Sequence, residues 1–255
     1  MVPIRGNPQF EELVQQQARP PKDPVMRQSW DRLFFAHARC DAEVLARGLP
    51  EGLELQTFDG DAWLGFVPFS MRSLRLSQFP WPDFLETNLR TYVTHPIHGP
   101  GVWFYSLDAS SFLACGGART QFKLPYCFAG MDMVEADQSL SYYGTRVDRQ
   151  RLPRVFEHPA RDFRYTAELK IGGEPGRAES ESFDFWLLER YRLYAADRKG
   201  RLLTGRVWHE PYQVSEPEVT ILSVECGDSR FGALRFEHFR YCSGVKVECF
   251  KPEWV

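Results

Sequence analysis

The chain predicts a β-dominated α+β fold: one sheet-rich domain with a few short helices. Three observations carry that expectation. Aromatic residues make up 15% of the 255 residues, with 20 Phe, 10 Tyr and 7 Trp, and such side chains suit the half-buried pleated surface of a strand. Turn formers are abundant too, at 18 Pro and 19 Gly, which punctuate the apolar runs. No repeat, low-complexity tract or linker divides the sequence, and a hydrophobic content of 43% is ample for a core at this length.

In order along the chain, residues 1–25 read as a partly flexible N-terminal extension and 26–255 as the single domain. Phe10 to Gln17 is expected to make one or two helical turns, stopped by the Pro-rich run from Arg19 to Pro24. Leu33 to Ala38 reads as a buried strand. Asp41 is a good N-cap for a helix from Ala42 to Gly48, ended by Gly48 and Pro50. Leu53 to Asp61 alternates and contains the turn signal Asp59-Gly60. The continuous apolar run from Ala62 reads as a central strand with its exit at Pro68.

Further strands are expected from Phe84 to Val93 and from Gly101 to Leu107. Asp108, Ser110 or Ser111 then caps a short helix running toward Ala118, although the Gly116-Gly117 pair weakens it. Phe122 to Ala129 and Leu140 to Val147 read as extended. Gly172 to Arg177 is a hairpin tip, and Ser182 caps a turn of helix through Glu189. Tyr191 to Ala195 and Leu202 to His209 form a hairpin around Asp197 to Gly200.

Composition narrows the function classes. Net charge is −3 with both signs interspersed, so nothing resembles a footprint for nucleic acid. The six cysteines show no CxxC pair and read as reduced thiols. The N-terminus has no signal-like apolar segment and no window approaches a membrane span, so a cytoplasmic protein is expected. His95 and His98 lack a third ligand, so no metal is expected, and no glycine run matches a phosphate loop, so no cofactor is expected.

Longer segments carry a resemblance. Gln28 to Trp30, Leu49 to Leu55, Phe58 to Gly65, Phe84 to Val93, Gly101 to Ala109, Leu124 to Tyr126, Leu188 to Tyr194 and Tyr241 to Val245 together resemble the YqjF-like family of uncharacterised bacterial proteins. On these segments, which span roughly residues 27–250, the chain is identified as a member. That family is similar in turn to the acetoacetate decarboxylase superfamily. In those enzymes an Arg precedes a Pro by six positions and two lysines follow the Pro. Arg119 and Pro125 keep the spacing, whereas Tyr126 and Cys127 stand where the lysines would be. Glu86 falls where the enzymes carry an active-site acid, and Ala42 to Leu55 resembles their helix and following strand. The resemblance implies a β-cone or barrel-like fold around a central pocket, without the Schiff-base nucleophile.

The candidate site is built on the strand beginning at Glu86. Alternation places Glu86, Asn88, Arg90 and Tyr92 on one face and Leu85, Leu89 and Val93 on the other. Facing an interior pocket, those four make an acceptor–donor array suited to a carboxylate or carbonyl compound; facing solvent, they are an ordinary Glu–Arg pair. Glu86 and Tyr126 are the catalytic candidates, and Asn88, Arg90, Tyr92, Arg119 and His209 the ligand-binding ones. Lys123 lies three positions before Tyr126 and so faces the other way in an extended strand, and Cys127 has no partner base in view.

The expected function is the binding of a small organic acid or carbonyl metabolite without a lysine Schiff base. Two alternatives stand beside it: a Schiff-base decarboxylase or lyase using Lys123 or Lys170, and a non-catalytic interaction protein whose pocket is filled by aromatic side chains. Assembly into a homo-oligomer is left open by the sequence.

Overall fold

In the computed structural model, residues 4–5, 10–76, 79–147 and 162–255 are described. In chain order the elements are β1 (Ile4–Arg5), α1 (Phe10–Gln16), β2 (Met26–Cys40), α2 (Ala42–Ala46), β3 (Glu54–Gln56), β4 (Ala62–Leu76), β5 (Phe79–Pro80) and β6 (Phe84–His95). There follow β7 (Gly99–Ala109), α3 (Phe112–Gln121), β8 (Tyr126–Ala136), β9 (Ser139–Arg146), β10 (Phe163–Lys170), β11 (Gly176–Arg177) and α4 (Phe183–Leu188). The chain ends with β12 (Arg192–Ala196), β13 (Leu202–His209), β14 (Gln213–Ser215), β15 (Glu218–Cys226), β16 (Phe236–Cys249) and β17 (Glu253–Trp254).

Hydrogen bonding links the principal strands into a circuit. β2 pairs with β4, β4 with β6, β6 with β7 and β12 with β13, and β16 pairs with both β13 and β2, every one of them antiparallel. β7 and β12 join in parallel through Leu193–Val102 and Tyr194–Trp103, so the pairings return to their starting strand. A second antiparallel sheet, in the order β8–β9–β10–β15, leaves the circuit where the start of β8 runs parallel to β7. The two are pinned by a buried bidentate ion pair: Arg146 of β9 donates to both carboxylate oxygens of Asp108 on β7, each at 2.7 Å. Buried in this way, its value is tied to its completeness, because either partner left alone is a desolvated charge.

Period-two alternation divides each wall into an inner and an outer face. Leu33 and Phe35 of β2, Val67 and Phe69 of β4, and Val102, Leu107 and Ala109 of β7 belong to the inner core. Phe34, Ala36, Phe66, Leu89 and Tyr165 belong to an outer core between the circuit and the second sheet. At one end α4, capped by Ser182 and with Phe185 to Leu188 wholly buried, plugs the interior. At the other lies α3, capped by Ser111, whose hydroxyl accepts from the Ala114 amide at 3.3 Å.

Several expectations change. β4 runs on through Pro68 to Leu76. Its pairing with β2 is irregular between Asp31 and Ala36, opposite Ser70 and Phe66, so β2 bulges by one residue opposite Pro68 and the missing N–H falls where the β2–β4 ladder is already interrupted. Asp108 is a strand residue held by Arg146 rather than a cap, and Phe122 closes α3 instead of opening a strand. The N-terminal segment is not peripheral throughout: Leu13 is fully buried, and Gln16 donates to the Pro100 carbonyl at 2.9 Å. Residues 1–3 and 6–9 of that extension lie outside the described residues.

The β7–β12 seam is tight. A Cβ added to Gly101 would lie 2.7 Å from the Tyr194 ring and 2.9 Å from the Arg192 carbonyl, and backbone cannot yield as a flexible side chain can. Gly101→Ala is therefore expected to destabilise the protein by about 1–3 kcal/mol in urea unfolding, whereas Gly117→Ala, with open space around its added Cβ, should not.

Candidate functional site

The circuit encloses a cavity of about 180 Å³. β6 contributes Phe84, Glu86, Asn88 and Arg90 to its wall, the i, i+2 set of one strand face. Opposite them stand Trp30, Leu33 and Phe35 of β2, and Tyr126 enters from the first residue of β8. Leu113, Gly117 and Gln121 of α3 are both exposed and part of the wall, so the cavity meets solvent along that helix.

Glu86 is 3% exposed and accepts a hydrogen bond from the Tyr126 hydroxyl at 2.8 Å. Burial disfavours its charged form and raises its pKa to about 8, although the hydrogen bond from Tyr126 opposes the shift. Near pH 7 it is therefore largely a neutral carboxylic acid, with a proton to donate. Burial and the neighbouring Glu86 push the Tyr126 phenol well above its ordinary range, so it stays a donor.

Of the four arginines lining the cavity, Arg90 and Arg190 are buried, whereas Arg192 and Arg206 are only half-buried. Arg90 is 8% exposed, donates to the Leu187 carbonyl at 3.2 Å, and lies over the rings of Phe35 and Tyr92 at 5.7 and 5.8 Å. Arg190, 5% exposed, follows α4; its Nε donates to the Trp186 carbonyl at 2.6 Å and its Nη1 to Gln56 at 2.7 Å. It also sits 4.9 Å from the Tyr92 ring and 4.8 Å from that of Trp186. Burial, with the positive charge of Arg90 nearby, lowers the Arg190 pKa to about 9, so it remains charged at neutral pH. Arg90 Nε and Arg190 Nη2 are buried without an acceptor, and no ion pair to a carboxylate involves either residue among the described residues. Asn88 Oδ1, also on the wall, has no donor.

The other candidates lie outside the wall. Tyr92 shares the β6 face but shares its hydroxyl with His37 Nε2 at 2.7 Å, behind the arginines. Arg119 turns back from α3 to donate through Nε to the Tyr126 carbonyl at 2.7 Å, so it holds the backbone that carries Tyr126. His209 is fully buried, with its ring centroid 4.6 Å from that of Tyr191 and 4.3 Å from that of Tyr212; burial lowers its pKa to about 4. Among the described residues lining the cavity there is no lysine. Lys123 donates to the Thr120 carbonyl, and Lys170 pairs with Glu218 on the surface. Cys127 is buried, which pushes its thiol well up, and no three His, Cys, Asp or Glu side chains among the described residues form a metal cluster.

Arg190 and Gln56 escaped the sequence reading. The available signal was the charged pair Glu189-Arg190 between the apolar run Phe183–Leu188 and the strand at Arg192, with no polar face to receive it.

Fold and cavity together define the class, an acetoacetate decarboxylase-like fold. The structure is similar to acetoacetate decarboxylase from Legionella pneumophila, with a TM-score of 0.62, 13% identity and 95% of each chain covered. It is likewise similar to the enduracididine biosynthesis enzyme MppR complexed with pyruvate, with a TM-score of 0.61, 12% identity and 93% of each chain covered. Within that class the chain belongs to DUF2071, a family of uncharacterised conserved proteins, which it matches over residues 27–245. Protein YqjF of Bacillus subtilis (strain 168) is 36% identical over 206 residues, 78% of this chain and 80% of its own.

The Glu86 shift has a signed consequence. Its native pKa of about 8 exceeds the value of about 4.3 for an unfolded glutamate. Between these the native state holds more protons than the unfolded chain, so this contribution to stability is full at low pH and is lost as pH rises toward 8. The melting temperature of the wild type relative to Glu86→Gln is expected to fall from about pH 5 to about pH 8 and then level off. A difference that is flat with pH would contradict a neutral Glu86.

Proposed function

We propose that the cavity binds a small organic acid or carbonyl compound, its carboxylate held by Arg90 and Arg190, without forming a lysine Schiff base. The observation that carries this reading is the pair of buried guanidiniums with unused N–H groups and no carboxylate partner. A buried charge without a partner costs several kcal/mol, and a carboxylate supplies both the missing charge and the missing acceptors, in the fork geometry that guanidinium favours. Glu86 is placed as proton donor to a carbonyl or hydroxyl oxygen of the ligand, with Tyr126 orienting it, and Asn88 offers a further polar contact. Arg119 acts through Tyr126, and Tyr92 and His209 support the wall.

Two features favour this reading over its alternatives. An open cavity of about 180 Å³ argues against an interior filled by aromatic side chains. The surface attachments of Lys123 and Lys170 argue against either as an amine nucleophile, which requires a neutral, desolvated nitrogen. The MppR complex with pyruvate adds support by analogy of fold, since that ligand is itself a small 2-oxo acid.

The test is calorimetry and thermal shift with a panel of 2-oxo, 3-oxo and simple carboxylic acids. An acid of this class is expected to bind, and Arg90→Gln or Arg190→Gln should weaken it roughly tenfold to a hundredfold, as for loss of a charge-assisted hydrogen bond. Borohydride reduction with the same acids should leave the intact mass unchanged. An adduct mapped to Lys123 or Lys170 would overturn the proposal.

A further inference from the structure

The charged side chains among the described residues of the wall are Glu86, Arg90, Arg190, Arg192 and Arg206. Beyond Glu86, the wall toward α3 is built from Met71, Leu74, Leu76, Trp81, Phe84 and Phe122, none of which offers a charge. Register places two of these against each other: Met71 pairs with Phe84 across β4–β6. On β6, Phe84 and Arg90 are six residues apart, about 20 Å at roughly 3.3 Å per residue. Phe84 is in the apolar stretch and Arg90 is at the deep end, so the gradient from apolar to charged runs along the length of one strand.

Deepening the binding reading above, on which it rests, we infer that the ligand is an amphipathic monocarboxylic acid with an alkyl or aryl body of about six to eight carbons. It enters carboxylate first, with its tail directed along β6 toward the apolar wall below α3. Three observations converge on this. Of the four wall arginines with an N–H that lacks an acceptor, Arg90 and Arg190 are more than nine-tenths buried. Among the described residues Glu86 is the one carboxyl group of the wall, and it is neutral near pH 7, so it does not compete for the arginines. The volume, about 180 Å³, is of the order of the ~150 Å³ apolar cavity known to hold a benzene ring. An acid of two to four carbons would satisfy the arginines and leave the apolar wall against water; a longer body covers that wall. Leu113, 67% exposed on α3, continues the apolar surface to the opening.

The test is a titration of the wild-type protein with butyrate, hexanoate, octanoate and phenylacetate, alongside hexanol, pyruvate and acetoacetate. Affinity is expected to rise about fourfold per methylene from butyrate to hexanoate, flattening as the cavity fills, and hexanoate should bind at least tenfold more tightly than hexanol. In Arg90→Gln, checked for folding by circular dichroism, the preference for acid over alcohol should collapse while the gain with chain length persists. Pyruvate or acetoacetate binding as tightly as hexanoate would overturn this inference and leave the binding of small acids intact. Hexanol matching hexanoate in the wild type would overturn the orientation. If no acid of any length binds, both readings fall together.

Discussion

The constraint on which the rest depends is the closure of seven strands by the short parallel contact between β7 and β12. All other neighbours in the circuit are antiparallel, and four of those contacts run for eight or more residue pairs. The parallel seam has two pairs and a glycine pressed against Tyr194 and the Arg192 backbone. Because the wall is closed there, the inner faces of β2, β4, β6 and β7 converge on one space. A polar side chain on such a face is held away from bulk water, and the cavity meets solvent along α3. The chemistry of Glu86, Asn88 and Arg90 follows from that confinement more than from their identities.

Confinement acts differently on acids and bases. It pushes Glu86 toward its neutral form, and a neutral carboxyl in an apolar wall costs little. Guanidinium cannot escape in the same way and remains charged, so Arg90 and Arg190 are held by what surrounds them. Backbone carbonyls at Leu187 and Trp186 take one N–H each, Gln56 takes another, and the faces of Phe35, Tyr92 and Trp186 supply cation–π attraction. Those contacts are partial, which leaves a positively charged deep end whose natural complement is an anion from outside. The like-charge proximity of the two arginines is a local cost retained in the fold, of the kind that functional sites preserve.

Much of the fold was legible because β-structure repeats every two residues. The face shared by Glu86, Asn88, Arg90 and Tyr92 followed directly from that period, while the cap at Ser182 and the hairpin around Asp197 followed from the capping and turn residues themselves. Pro68 misled because a bulge, which depends on the partner strand, removed the penalty expected of it. Arg119 keeps a family spacing relative to Pro125, yet that spacing does not specify its side-chain direction: the guanidinium turns back to the carbonyl of Tyr126. Arg190 was the least accessible. It reaches the cavity from a segment a hundred residues after β6 in the chain, and only closure of the circuit brings it beside Arg90.

The most direct test of the account is a crystal structure of the protein with hexanoate. The account predicts the carboxylate within about 3 Å of both guanidiniums, Arg90 and Arg190 in the positions described, and the alkyl chain directed along β6 toward Glu86 and α3. A ligand bound tail-first at the arginines, or arginines turned away to pair with a carboxylate of the protein, would contradict it.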